Sequence, residues 1–331
     1  MQFRYLVGAF LSLESFILLV YISSNVNKLA IPGLQPNIKL GNIPNKNTEN
    51  VSARTFRKPF IYLTQTEKCI PLRLLESIGI NDTCNCDVLV LSYQAECTEL
   101  SSVNVAYLFE RSSTWSSGRN ALYFAAVNRT SGYHYYIFLD DDVNVIFNNF
   151  TPPDLKKKLP LQSFQQWLLH YEPVVGVLDY LFHHGAVWTF ERRKALCGIR
   201  NDTSLSLPVV WFDAAFNAFH YKAIADILPY DTQYDDTSWW LSQVVVITLV
   251  ELKFRGQALL YVPATAKNPK HRQYPRHGRI SFNEVIRTCI EQAERDAPTV
   301  EEHAVKSSTY CMKVTPHFPI MPYAHFNTTS A

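Results

Sequence analysis

The chain has 331 residues and a formal net charge of +2, with 18% charged and 47% hydrophobic residues. That length and apolar content suffice for one large α/β core with a tail. The near-neutral balance excludes bulk electrostatic binding of nucleic acid.

Met1–Arg4 carries one positive side chain, and Tyr5–Ile22 is an apolar stretch interrupted by Ser12, Glu14 and Ser15. About 18 residues at ~1.5 Å each span ~27 Å, close to a thin hydrocarbon core. Glu14 costs roughly 2–3 kcal/mol at its centre. Two readings stay open. One is an uncleaved signal-anchor with Arg4 on the cytosolic side; the other is a signal peptide cleaved after Ser24. Ile22 and Ser24 make a mediocre cleavage site, so the anchor is preferred. Either reading puts the remaining chain in the secretory lumen.

Two features agree with that compartment. Asn-x-Ser/Thr sequons stand at Asn50, Asn81, Asn128, Asn149, Asn201 and Asn327, the Asn149 one weakened by Pro152. All 7 cysteines (Cys69, Cys84, Cys86, Cys97, Cys197, Cys289 and Cys311) follow the apolar stretch. In an oxidising lumen they supply up to three disulfides and one leftover thiol. Zinc at Cys84-x-Cys86 would need a second ligand pair, and none is evident.

Residues 23–58, rich in Asn, Pro and Ser, read as an extended stem. The expected organisation is therefore a cytosolic tail (1–4), an anchor (5–22), a stem (23–58) and a lumenal domain (59–331). Within that domain the spacing predicts a helix over Leu72–Ile78, with Pro71 at its start and Gly79 past its end. A loop at Asn81–Cys86 follows, then strands at Asp87–Ser92 and Asn104–Glu110. A helix capped by Ser116 or Ser117 carries the apolar stripe Ala121, Leu122, Ala125 and Ala126. A third strand, Tyr135–Leu139, runs into Asp140-Asp141-Asp142.

The second half reads as a helix over Phe164–His170, a strand over Val174–Asp179 and an apolar segment at Val209–Phe212. A helix over Lys222–Leu228 stops at Pro229. Ser238–Phe254 reads as a buried helix, though its Val-Val-Val-Ile run also suits a strand. Ala258–Val262 is a further strand, and Val285, Ile286, Cys289, Ile290 and Ala293 mark a last helix closed by Pro298. Strands alternating with helices argue for a mostly parallel α/β sheet, with ligands beyond the carboxyl ends of its strands.

Three consecutive carboxylates at such a strand end repel one another, and a divalent cation relieves the repulsion. Oxygen ligands suit Mn²⁺ or Mg²⁺. Asp140, Asp142 and Asn144 also have the spacing of a calcium loop, but an EF-hand needs Gly at 145 and Glu at 151. Val145 and Thr151 stand there.

The segment YYIFLDDDV (135–143) resembles the Asp-x-Asp strand end of the GT-A-fold glycosyltransferases, and Ser117-Gly118-Arg119-Asn120-Ala121 resembles the helix start that precedes it in that superfamily. The resemblance covers roughly residues 87–279. It implies a GT-A-like fold and a nucleotide-sugar donor, UDP-linked, with a glycan, protein or lipid acceptor. It also implies a single-pass type II location in the Golgi or ER membrane. Carried over by residue, Asp140 contacts the ribose or the metal and Asp142 holds the metal. Arg119 approaches the base or phosphate, and Ser92 and Tyr93 flank the base. Negative charge grows on the departing diphosphate, where a metal acts as a Lewis acid. An inverting enzyme also needs a base. Asp236 is the first choice and Asp235 the second, at a helix start where Asp236 caps the N–H of Ser238 or Trp239; Asp213 competes. Trp239 and Trp240 offer sugar-stacking faces. His271, or failing it His277, completes the metal site.

Two other functions fit the same aspartates. One is a lumenal binding protein that has lost catalysis. The other is a phosphotransferase or nucleotidyltransferase, which would release a nucleoside monophosphate instead of a diphosphate.

Overall fold

The structure, a computed structural model, describes residues 58–80, 84–98, 104–129, 132–180, 191, 194–195, 205–268 and 280–296. The expected anchor and stem, His271 and His277 lie outside the described residues. No helix among the described residues is long and apolar enough to cross a membrane.

Nine strands form one sheet: β1 Phe60–Thr66, β2 Cys86–Ser92, β3 Val105–Phe109, β4 Tyr135–Leu139, β5 Asn144–Phe147, β6 Val175–Tyr180, β7 Ser206–Pro208, β8 Phe216–His220 and β9 Ala258–Lys267. Their order is β3-β2-β1-β4-β8-β6-β9-β5, with β7 also paired to β9. The helices are α1 Leu72–Ile78, α2 Trp115–Val127, α3 Pro160–Tyr171, α4 Ile224–Ile227, α5 Trp239–Lys253 and α6 Phe282–Asp296.

Side chains alternate along each central strand, so one sequence feeds two cores. Ile61, Leu63, Leu89, Leu91, Tyr136 and Phe138 face α2 and α5 in one buried cluster. Phe60, Tyr62, Val88, Val90, Tyr135 and Ile137 face α1 and α3 in the other. Helices therefore cover both faces of the sheet. This explains why the central strands read as nearly continuous apolar runs.

The expected mostly parallel sheet holds for β1 to β4 and for the β6–β9 pair. β1 pairs in parallel with β2 and β4, and β2 with β3. β8 then runs antiparallel between β4 and β6, and β5 and β7 run antiparallel to β9. The fold is a mixed α/β sheet with flanking helices.

Several local expectations are refined. α1 ends as expected: Gly79 sits at φ 77°, and its N–H reaches the carbonyls of Leu75 and Glu76. The cap of α2 is Thr114, not Ser116 or Ser117. The Thr114 hydroxyl accepts from Ser117 N–H, and Ser117 Oγ accepts from Thr114 N–H at 2.8 Å. Thr114 wins because its extended backbone, at φ −82° and ψ 177°, directs the side chain back to the third helical residue. Ser238–Phe254 is indeed helical, as α5 over Trp239–Lys253. Cys84 and Cys86 are bonded to each other, as are Cys69 and Cys97, so the Cys84-x-Cys86 pair offers no thiolates to zinc. Cys289 is buried and has no disulfide partner among the described residues.

Candidate active site

β4 ends at Leu139 and the chain turns at once, with Val143 N–H donating to Asp140 O at 3.2 Å. Asp140, Asp141 and Asp142 thus leave the sheet at its carboxyl edge. The neighbouring strand β8 runs the other way, and Leu139 pairs with Phe216. The residues entering β8 therefore lie beside the aspartates. Asp140 N–H donates to Ala215 O at 3.0 Å, and Asp213 Oδ1 accepts from Ala215 N–H at 2.8 Å. On the other side, Asn144 pairs with Lys267, so antiparallel register sets Asn268 opposite Val143, next to Asp142. Antiparallel topology thus brings Asp213, a base candidate from sequence, and Asn268, which sequence did not single out, to the edge that holds the Asp-x-Asp residues.

The first turn of α2 forms the opposite side. A Cβ on Gly118 would lie 1.9 Å from Gln65 Nε2 and 2.8 Å from Leu91. A side chain here would have to displace the Gln65 amide and the Leu91 methyl. The next residue, Arg119, is 2% exposed. Its Nη2 donates to Asp140 Oδ1 at 2.8 Å and its Nη1 to Tyr230 Oη at 3.3 Å. Its guanidinium carbon lies 4.2 Å from the Trp115 ring centroid. Asn120 fixes Tyr230 by donating to its carbonyl at 2.8 Å and accepting from its N–H at 2.7 Å. Three consecutive residues, Gly118, Arg119 and Asn120, thereby build one wall.

Between these walls lies a cavity of about 350 Å³, within the usual size of ligand sites. Asp140, Asp141, Asp142 and Asp213 line it together with Arg119, Gln65, Tyr93, Trp115, Trp239, Trp240, Gln243 and Asn268. Loss of hydration raises the Asp140 carboxyl to about 7; Arg119 opposes this, while Asp213 and Asp142 add to it. Asp140 keeps 31% of its side chain exposed, so water on the open side screens part of that effect.

The donors fit a hard divalent cation. The carboxylates of Asp140, Asp142 and Asp213 share the cavity with one guanidinium, leaving an excess of negative charge. Asn268 is 6% exposed, and its Oδ1 has no hydrogen-bond partner among the described residues. A carboxylate set plus a buried amide oxygen suits Mn²⁺ or Mg²⁺.

The residues expected from sequence are only partly gathered here. Tyr93, Arg119, Asp140 and Asp142 line the cavity, as do Trp239, Trp240 and Asp213. Ser92 is buried behind it, its hydroxyl donating to Lys68 O. Asp235 accepts a hydrogen bond from Thr114 Oγ1 at the cavity rim. Asp236 is exposed and outside the lining. Ser238 N–H is taken by Tyr234 O, and Ser238 occupies the cap position of α5, so the expected Asp236 cap does not form. Gln65, Gln243 and Asn268 went unnoticed in the sequence because a lone amide side chain carries no periodicity or charge signal.

A second group of metal-ligand types, His134, Glu172 and His220, converges with its ligand atoms within 4.8 Å of one another. It sits at the start of β4 and the end of β8, the opposite edge of the sheet. Lys222 N–H donates to His220 Nδ1 at 3.2 Å, so neutral His220 carries its proton on Nε2 and presents a donor rather than a ligand. Burial lowers the His220 pKa to about 2, and the charges of His134 and Lys222 act in the same direction. Burial also lowers His134, against the pull of Glu172 at 3.1 Å. His134 and Glu172 pair at 3.1 Å, and His220 Nε2 is buried with no hydrogen-bond partner among the described residues.

No protein-family model and no curated protein matches the chain. A crystal structure of A197 from STIV aligns at 12% identity and a TM-score of 0.33, covering 67% of this chain and 96% of that one. Galactosyltransferase LgtC in complex with donor and acceptor sugar analogues aligns at 12% identity and a TM-score of 0.26, covering 69% and 95%. An active-site mutant of LgtC aligns at 12% identity and a TM-score of 0.23, covering 49% and 57%. Alignments this loose carry no argument about this chain, whose function is read below from its own residues.

Proposed function

We propose that the chain is a divalent-metal-dependent glycosyltransferase of GT-A type, taking a UDP-linked sugar to a glycan, protein or lipid acceptor. The observation that carries this is the joining of Arg119 to Asp140 on the wall of a cavity that also holds Asp142, Asp213 and two tryptophans. A buried guanidinium beside clustered carboxylates makes a site for a cation with a polyanion. Aromatic and amide side chains on the same wall suit the uncharged remainder of a nucleotide-sugar.

Asp140 and Asp142 would hold the ion, with Asp213 and Asn268 within reach of the same edge. A bound Mn²⁺ or Mg²⁺ supplies Lewis-acid stabilisation of a departing diphosphate. Arg119 anchors Asp140 at the cavity through its Oδ1. Tyr93, at the end of β2, offers a ring to the base. Of the three carboxylates considered as base, Asp213 is the one on the cavity wall. Its Oδ1 accepts from Ala215 N–H, which immobilises the group on the cavity wall. Asp213 is therefore preferred over Asp235 and Asp236. Placement in the Golgi or ER membrane, by the 5–22 anchor, belongs to the same proposal. It is supported by two disulfides and by exposed sequon residues Asn128 and Asn149.

Incubating the full chain with a panel of UDP-sugars and Mn²⁺ tests the reading. The expected result is metal-dependent release of UDP from at least one donor. Release of UMP would favour nucleotidyl or phosphoryl transfer instead, and binding without turnover would favour a pure binding protein.

A further inference from the structure

Helix α5 sends Trp239, Trp240 and Gln243 to the cavity. Gln243 follows them by four and three residues, so all three share one face of the first turn. Gln243 is fully buried. Its Nε2 donates to Phe212 O at 3.4 Å, which sets the orientation of the amide. Its Oε1 then has no hydrogen-bond partner among the described residues. A buried amide oxygen left unmet is destabilising, and this one stands in a cavity wall rather than in the packed core. Trp239, Trp240, Ala214 and Ala215 line the same cavity, and Asp213 precedes none of these walls alone but follows Phe212, whose carbonyl holds the Gln243 amide. A pyranose matches this lining. Its C–H face lies against an indole and a ring hydroxyl donates to an amide oxygen.

We propose that Gln243 is a specificity-determining residue whose Oε1 accepts a hydrogen bond from a hydroxyl of a pyranose held against the α5 tryptophans. The pyranose belongs either to the donor or to the acceptor. Its role in a transfer rests on the function proposed above, but its binding does not.

The test uses the full chain, its Gln243→Met variant, which keeps the side-chain length without the amide, and its Gln243→Glu variant, which keeps an acceptor oxygen. Probes are methyl glucoside, galactoside and mannoside with their monodeoxy analogues, alongside UDP, UDP-glucose and UDP-galactose with Mn²⁺. Binding is read by saturation-transfer NMR and calorimetry. Gln243→Met should weaken one sugar probe about 10-fold while leaving UDP unchanged, and Gln243→Glu should recover part of the loss. One deoxy analogue should bind wild type as weakly as the parent sugar binds Gln243→Met. A purely structural role through Phe212 would not produce that equivalence. Weakening confined to methyl glycosides assigns the acceptor sugar, and weakening confined to the gain of a UDP-sugar over UDP assigns the donor sugar. The proposal is overturned if wild type gains no affinity from any sugar, or if Gln243→Met binds every probe as wild type does. Sugar binding that depends on Gln243 without any Mn²⁺-dependent UDP binding would instead sink the transferase reading and leave this one standing.

Discussion

Arg119 Nη2 and Asp140 Oδ1 stand 2.8 Å apart, joining the first turn of α2 to the end of β4 across 21 positions of sequence. The arginine is buried and its partner is about one-third exposed, so the pair couples the folded core to the cavity. Arg119→Met should lower stability by about 1–3 kcal/mol, because it leaves Asp140 beside Asp142 and Asp213 with no cation. Arg119→Met with Asp140→Asn should recover part of that loss. Urea denaturation of the two variants checks this, and additive effects would mean that the pair is not coupled.

Asp140 also predicts a proton linkage. Its folded pKa of about 7 lies above the ordinary 3.8, so between those values the folded chain holds a proton that the unfolded chain has lost. Its contribution to the stability of the metal-free protein therefore falls as pH rises from about 4 to about 7. A cation must displace that proton, so Mn²⁺ should bind more tightly as pH rises to about 7 and release close to one proton near pH 6. Calorimetry in buffers of different ionisation enthalpy measures the proton count. Binding heats independent of buffer would contradict it.

His220 acts with the opposite sign. Its folded pKa of about 2 lies below the ordinary 6.5, so the unfolded chain takes up a proton that the folded chain refuses. Stability should fall as pH drops below about 6.5. Glu172, His134 and Lys222 face the same group. His220→Phe, which keeps a ring against Tyr135 and Tyr221, should flatten the stability slope between pH 7 and pH 5. An unchanged slope would place the acid sensitivity elsewhere.

The base assignment separates three neighbours. Asp213→Asn should lower acceptor-dependent transfer by roughly 10²–10⁴-fold with UDP binding retained. Asp236→Asn should have little effect, since Asp236 is exposed beyond the cavity lining. Asp235→Asn removes the negative charge from the group that accepts from Thr114 Oγ1 and should act mainly on stability. If Asp235→Asn or Asp236→Asn alone abolishes transfer, the assignment to Asp213 falls.

Much of this site was legible because a few signals are strong. Tyr135–Leu139 is the strand expected, and it runs into the aspartates as expected. Gly79 marked the end of α1, and the resemblance drew attention to Gly118 and Arg119. What stayed hidden depends on strand order. Phe60–Thr66 is the strand between β2 and β4, yet Thr64, Gln65 and Thr66 broke its apolar run. Phe216–His220, with Asn217 as its second residue, shows no alternation because both its faces are buried. Without β8 placed antiparallel to β4 and β9 antiparallel to β5, nothing in sequence puts Asp213 beside Asp140, or Asn268 beside Asp142. The α2 cap was misplaced because Thr114 and Ser117 bond to each other, and sequence does not say which of two hydroxyl residues is the outer one.

The central claim is that the Asp140–Asp142 edge holds a cation that in turn holds UDP. The most direct measurement compares the melting temperatures of wild type and Asp142→Asn with Mn²⁺, UDP or both present. Asp142→Asn relieves like-charge repulsion, so without ligand it should melt at or above the wild-type temperature. Mn²⁺ and UDP together should raise the wild-type melting temperature and leave that of Asp142→Asn nearly unchanged. An equal rise in both proteins would contradict the account.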